Sequence, residues 1–192
     1  TLEKAIAAVG GVSHRAAQRD DIKAFLELHI EQGPVLQDEQ LDVGVVTAIA
    51  GITRIEIVVD GRADHAGTTP MGSRKDALTT AAWIALGVEE LARALASGAE
   101  HFAATVGEFE MTPNAANVVP ARVRMLIDAR AERREDMDRF IDELGRGVAA
   151  IAEKTGIAVG ELRIVSDNQP TPCDADLLDM EFGLGCYSDE EL

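Results

Sequence analysis

The chain has 192 residues, 46% hydrophobic and 27% charged, enough for one sizeable core or one compact module with part of another. A formal net charge of −16 repels nucleic-acid phosphates and anionic membrane surfaces, which excludes both as default partners. Two cysteines are too few for a disulfide framework, and no apolar run approaches the roughly 20 residues that span a bilayer, so a soluble cytoplasmic protein with free thiols is expected.

In chain order, Leu2, Ile6 and Val9 predict a short helix stopped at Gly10-Gly11. Phe25 to Ile30 reads as a strand running into the punctuation of Gly33-Pro34, followed by a turn of helix from Val35 to Gln40. Val43 to Ile49 reads as a further strand. Ile55, Ile57 and Val59 alternate with Arg54, Glu56 and Asp60, the pattern of a half-buried strand. A polar, glycine-rich loop covers Gly61 to Ser73. Ala77, Ala81, Ile84, Val88, Leu91 and Leu95 then recur at helical spacing, and Ser97-Gly98 ends the run.

Strands are expected over 101–110 and 119–130. The second places Ala121, Val123, Met125 and Ile127 on one face and Arg122, Arg124, Asp128 and Arg130 on the other. Met137, Phe140, Ile141, Leu144, Val148 and Ile151 mark a second amphipathic helix with Gly156 as its C-cap. Ala158 to Val165 is the closing strand. The order β-α-β-β-α-β over about 53–166 predicts an α+β, ferredoxin-like fold with two helices on one face of an antiparallel sheet. Ala50-Gly51 and 166–172 are the hinge candidates, and 173–192 is too short to form a domain.

Several residues carry chemistry, each with a plainer structural explanation beside it. His29 and Glu31 lie two apart on the expected strand and so share a face. An imidazole with a nearby carboxylate suits a metal, yet three or four ligands are needed, and the chain has four His with no HExxH and no CxxC. His65 sits in the loop Gly61–Met71 among glycines and hydroxyls. It could donate a hydrogen bond to a developing oxyanion, or simply pack the loop while Thr68 or Thr69 caps a helical turn. Arg74 could fix that loop through a salt bridge. Asn117 could present an amide to a ligand or serve its turn. Arg130 could clamp a carboxylate with its planar fork or belong to a solvated strand face. Cys173 is read as a core residue, since a nucleophile would need a neighbouring base.

Three stretches together carry a resemblance. Glu27-Leu28-His29-Ile30-Glu31-Gln32-Gly33-Pro34-Val35-Leu36, then Gly61 to Met71, then Asn117-Val118-Val119-Pro120 through Asp128-Ala129-Arg130, resemble the N-carbamoyl-L-amino-acid hydrolases and allantoate amidohydrolases. These are dinuclear metallopeptidase-like amidohydrolases related to aminoacylases. The resemblance implies a catalytic α/β domain with two divalent metals, zinc or manganese, and an inserted ferredoxin-like domain that makes a homodimer and acts as a lid. On it, 1–52 would be part of the catalytic domain, 53–166 the lid and 167–192 a return segment.

It further implies that His29 is a metal ligand, that Gln32 lies near substrate, and that Asn117 and Arg130 bind substrate, Arg130 through its carboxylate. His65 would be the lid histidine that reaches the active site across the dimer and stabilises the tetrahedral oxyanion formed at a ureido carbonyl. The family's upstream His, bridging Asp, general-base Glu and further acidic ligand have no counterpart in the sequence. Neither has its Ser-Gly-Ala-Gly-His-Asp-like segment, which 183–192 does not match. The expectation is therefore a fragment, inactive alone, that carries the lid half of an amidohydrolase. The alternatives are a dimerisation module derived from the same fold and a carboxylate-binding domain using Arg130 and Asn117. Dimer contact is expected through a sheet edge and the Ala-rich helix containing Ala77 and Ala81.

Overall fold

In the computed structural model, which describes residues 2–10, 21–98 and 100–179, the polypeptide divides after Gly44 into two units. The first contains helix α1 (Leu2–Ala8), followed by Gly10 at φ +76°, and the four-residue helix α2 (Val35–Asp38). The strand expected over Phe25–Ile30 does not form. A strand is held by hydrogen bonds to a neighbouring strand, and the described residues offer this segment none. Its apolar side chains are correspondingly bare, with Leu28 98% exposed. His29 and Glu31 therefore do not share a strand face. The Glu31 carboxylate instead accepts from Val35 N (2.8 Å) and Leu36 N (3.1 Å), satisfying the free amides that open α2.

The second unit begins with β1 (Ala48–Ile49), much shorter than the strand expected over Val43–Ile49. It continues with β2 (Gly51–Asp60), α3 (Ala77–Ala96), β3 (Phe102–Thr112), β4 (Arg122–Ala131) and α4 (Arg134–Thr155). β5 (Ala158–Val159), β6 (Arg163–Asn168), β7 (Thr171–Pro172) and α5 (Ala175–Asp179) complete it. The closing strand expected over 158–165 is thus broken into β5 and β6, both antiparallel to β2, with a register shift opposite Arg54/Ile55. The sheet runs β3-β4-β2, with β5 and β6 completing the far side of β2, and every pairing is antiparallel.

Period-two alternation decides the core. Ile55, Ile57 and Val59 of β2 and Val123, Met125, Ile127 and Ala129 of β4 are all 0% exposed on the face that α3 and α4 cover. Phe140 of α4 reaches Phe102 of β3 with ring centroids 5.2 Å apart. Ala77 and Ala81 lie in this same core at 0% exposure. A contact between this helix and a second copy would therefore use the outer face of α3 and not these two side chains.

The opposite face carries paired charges: Arg54 with Asp128, Arg122 with Asp60 and Arg163 with Glu56 in cross-strand register, and Arg124 with Glu56 on the diagonal. These guanidiniums, Arg163 first and then Arg124, hold the Glu56 carboxyl below the ordinary carboxylate range. Asp76 caps α3 by accepting from Thr79 N (3.1 Å). Gly156 ends α4 at φ +61°, where its amide bonds the Ala152 carbonyl. No helix among the described residues is long and apolar enough to cross a membrane.

Candidate functional site

Beyond the Asp60 end of β2, two loops pair with each other. Gly61 N bonds Ala121 O (2.7 Å) and Arg62 N bonds Lys75 O (2.8 Å). Only glycine fits at position 61, because a Cβ there would stand 2.1 Å from the Lys75 carbonyl oxygen. The chain then runs alongside 115–119. Val119 N bonds Asp64 O (2.8 Å), His65 and Val118 form an antiparallel bridge, and Ala66 N bonds Asn117 O (2.9 Å). His65 and Asn117, more than fifty positions apart in sequence, thus become neighbours on one exposed lobe. The Asn117 side-chain amide makes no hydrogen bond among the described residues.

Short-range contacts fix the His65 ring. Its Nδ1 accepts from Gly67 N (3.0 Å) and Thr68 N (3.2 Å). An amide N–H can only donate, so Nδ1 keeps its lone pair and the ring proton resides on Nε2. His65 is exposed, and Nε2–H is the donor it can offer a ligand. Neither Thr68 nor Thr69 caps a helix; the short turn Met71–Ser73 has no side-chain cap, and the capping residue is Asp76. The expected Arg74 salt bridge is also absent among the described residues. Arg74 instead donates to two carbonyls, Ala66 O (2.6 Å) and Thr69 O (3.1 Å). Arg62 joins Asp64 (2.8 Å) and Ser73 O (3.1 Å), closing the base of the loop.

Arg130 stands elsewhere. It lies near the C-terminal end of β4, opposite Ile52 of β2, whereas the His65 lobe adjoins Arg122 at the strand's start. Eight residues of strand at about 3.4 Å each put the two ends about 27 Å apart. Arg130 is exposed, and its Nε donates to Asp128 Oδ1 (2.8 Å), whose other oxygen accepts from Arg54 (3.2 Å).

His29 and Gln32 belong to the first unit. His29 is exposed, and its Nδ1 meets the Ile30 carbonyl (2.5 Å), which leaves Nε2 as the nitrogen with the lone pair of a neutral ring. Gln32 takes φ +58° in the turn that Glu31 closes, a left-handed conformation few non-glycine residues adopt. Among the described residues no three His, Cys, Asp or Glu groups come together to hold a metal. One candidate donor, His29, does not fit a metal centre by itself. Cys173 is a half-buried free thiol whose amide bonds the Thr47 carbonyl. Cys186 and 183–192 lie outside the described residues.

Sequence reasoning missed the part played by Gly67 and the carbonyl clamp of Arg74. The signal for the first is local: a small residue two positions after a histidine in a turn lets a backbone amide bond back to the ring. The second had no signal, because carbonyl direction is not written in side-chain identity.

A family model described as a peptidase dimerisation domain matches residues 47–155. The chain is 40% identical over 149 residues to an N-carbamoyl-L-amino-acid amidohydrolase of Paenarthrobacter aurescens, covering 78% of this chain and 35% of that protein. It is 36% identical over 160 residues to the allantoate amidohydrolase of Escherichia coli K12, covering 83% and 38%. A solved hydantoinase/carbamoylase family amidase from Burkholderia ambifaria superposes with a TM-score of 0.84 at 31% identity, over 92% of this chain and 42% of that one. The chain thus spans 35–38% of the length of these two curated relatives.

Proposed function

Because the chain belongs to the peptidase dimerisation domain family, we propose that it supplies the lid and dimer contact of an amidohydrolase that cleaves a linear ureido or amide C–N bond. The substrate class is an N-carbamoyl-L-amino acid or allantoate, after the activities its relatives are named for. In this reading 53–166 is a ferredoxin-like lid, 1–52 and 167–192 belong to a catalytic domain, and the enzyme is a cytoplasmic homodimer. His29 would be one ligand to a pair of divalent metals, zinc or manganese, whose other ligands lie outside the described residues, and Gln32 would lie near substrate. The described residues hold no metal centre, so the proposed role concerns what the chain's own groups do.

His65 donates from Nε2–H to the oxygen that gains negative charge as the ureido carbonyl becomes tetrahedral. Asn117, beside it, offers its free amide to the same substrate. Arg130 holds the substrate carboxylate with a guanidinium fork now turned to Asp128. The observation that carries the reading is the separation of these groups. His65 and Asn117 share one lobe, while Arg130 sits about 27 Å away along β4, too far for one small substrate to touch all three in one copy. Two copies remove the difficulty, with His65 and Asn117 from one subunit and Arg130 from the other.

A chimaera tests this, with residues 45–175 replacing the equivalent segment of the Paenarthrobacter enzyme. Turnover of an N-carbamoyl-L-amino acid is expected, with His65→Ala lowering kcat about 10²–10³-fold. Mixing His65→Ala and Arg130→Ala subunits should restore part of the activity, because one of the two sites in the heterodimer keeps both groups. An active chimaera indifferent to both substitutions would leave the alternative, a dimerisation or carboxylate-binding module without a catalytic part.

A further inference from the structure

We propose that Arg74 is a positioning residue that, acting through the Ala66–Gly67 peptide unit, holds His65 in the Nε2–H tautomer. The inference rests on the reading of His65 as a donor to substrate only for its consequence in turnover; the tautomer itself follows from the geometry of this loop.

A trans peptide is planar, with its C=O and N–H pointing in opposite directions. Arg74 Nη2 draws the Ala66 carbonyl oxygen to 2.6 Å. The other end of that same peptide unit is the Gly67 amide, which stands 3.0 Å from His65 Nδ1. Fixing the carbonyl therefore aims the amide, and the guanidinium charge polarises the unit so that its N–H becomes the stronger donor. Arg74 Nε holds the Thr69 carbonyl at 3.1 Å, and Thr69 N returns to the His65 carbonyl at 3.1 Å. The turn that carries the second amide, Thr68 N, is thereby closed on both sides. Gly67 is part of the same device: a Cβ there would lie 3.2 Å from His65 Cε1 and 3.5 Å from Nδ1, crowding the edge of the ring that the amides must reach. In the other tautomer Nδ1–H would face two N–H groups and Nε2 would offer a lone pair, which cannot stabilise an oxyanion.

Nitrogen NMR of the ring-labelled 192-residue chain, above about pH 8 so that free imidazole is neutral, reads the tautomer directly. The wild-type His65 should show one protonated nitrogen, Nε2, and one unprotonated, Nδ1. In Arg74→Met, which keeps the stem and removes the donors, the two resonances should move toward each other, and amide exchange at Gly67 and Thr68 should speed up about three- to tenfold. Arg74→Lys should recover part of both effects, since an ammonium can still reach one carbonyl. Gly67→Ala, which leaves Arg74 in place, should give the same mixed tautomer by displacing the ring.

A folded Arg74→Met chain with unchanged His65 resonances and unchanged Gly67 exchange overturns the proposal. So does an unchanged tautomer in Gly67→Ala should Arg74→Met not fold. In the chimaera, Arg74→Met should lower kcat with little change in KM. Resonances that respond to Arg74→Met while His65→Ala leaves kcat untouched would sink the oxyanion role and leave the positioning role standing.

Discussion

Thr53 shows how one hydroxyl can tie two elements together. It is 1% exposed on β2, and its hydroxyl donates to Asp167 of β6 at 2.7 Å, while Arg134 at the start of α4 grips the same carboxylate at 2.8 Å. The hydroxyl first, then the guanidinium, holds the Asp167 carboxyl below its ordinary range. A depressed folded-state pKa contributes stability that is fully present above the unfolded value, about 3.9, and is lost as pH falls through the lower folded value. Melting curves should therefore be nearly flat between about pH 7 and 5 and fall below about pH 4, less steeply in Asp167→Asn. Thr53→Val keeps the shape and removes the donor, so urea titration should show a loss of about 1 kcal/mol.

At the scale of elements, two glycines that both adjoin Lys75 predict losses of different size. Gly61 faces backbone: a Cβ would come within 2.1 Å of the Lys75 carbonyl, and neither segment can give way without breaking the loop pairing. Gly61→Ala should cost about 3 kcal/mol and displace the His65 lobe. Gly156 faces only the flexible end of Lys75, with Nζ 3.1 Å from a built Cβ, so Gly156→Ala should cost about 1 kcal/mol, the price of a left-handed alanine. Denaturation of both variants separates the cases, and equal losses would contradict the geometry. The helices and long strands were legible because burial on one face imposes a period on the sequence, as in Ile55, Ile57 and Val59 or Met137, Phe140 and Leu144. The expected strand at Phe25–Ile30 has the same apolar content but no partner strand among the described residues. Composition registers the need for burial but not whether the neighbour is present.

For the whole molecule, the two sheet edges differ. The β5/β6 side is short and interrupted, whereas β3 is eleven residues long and, among the described residues, pairs with β4 alone. Ala85 and Glu89 of α3 lie beside Ala104, Thr105 and Val106 on that edge. If this edge pairs with a second copy, sedimentation at micromolar concentration should give a dimer for the wild-type chain. Ala85→Arg with Thr105→Arg should give a monomer, and a dimer that survives both changes would place the contact elsewhere. The 192-residue chain alone should turn over neither N-carbamoyl-L-amino acids nor allantoate, with or without added divalent metal.

By itself the sequence determined the order of helices and strands from β2 through α4, though not the break between β5 and β6, along with which faces of β2 and β4 are buried and His65, Asn117 and Arg130 as residues worth attention. Those follow from local periodicity and residue chemistry, which the chain carries position by position. Tertiary structure alone decided that His65 and Asn117 meet across the loop pairing while Arg130 stands at the far end of β4. It also decided that Glu31 serves a helix start and which nitrogen of His65 bears the proton. Each of these depends on where backbone groups from distant segments point, a property of the folded register rather than of any one side chain.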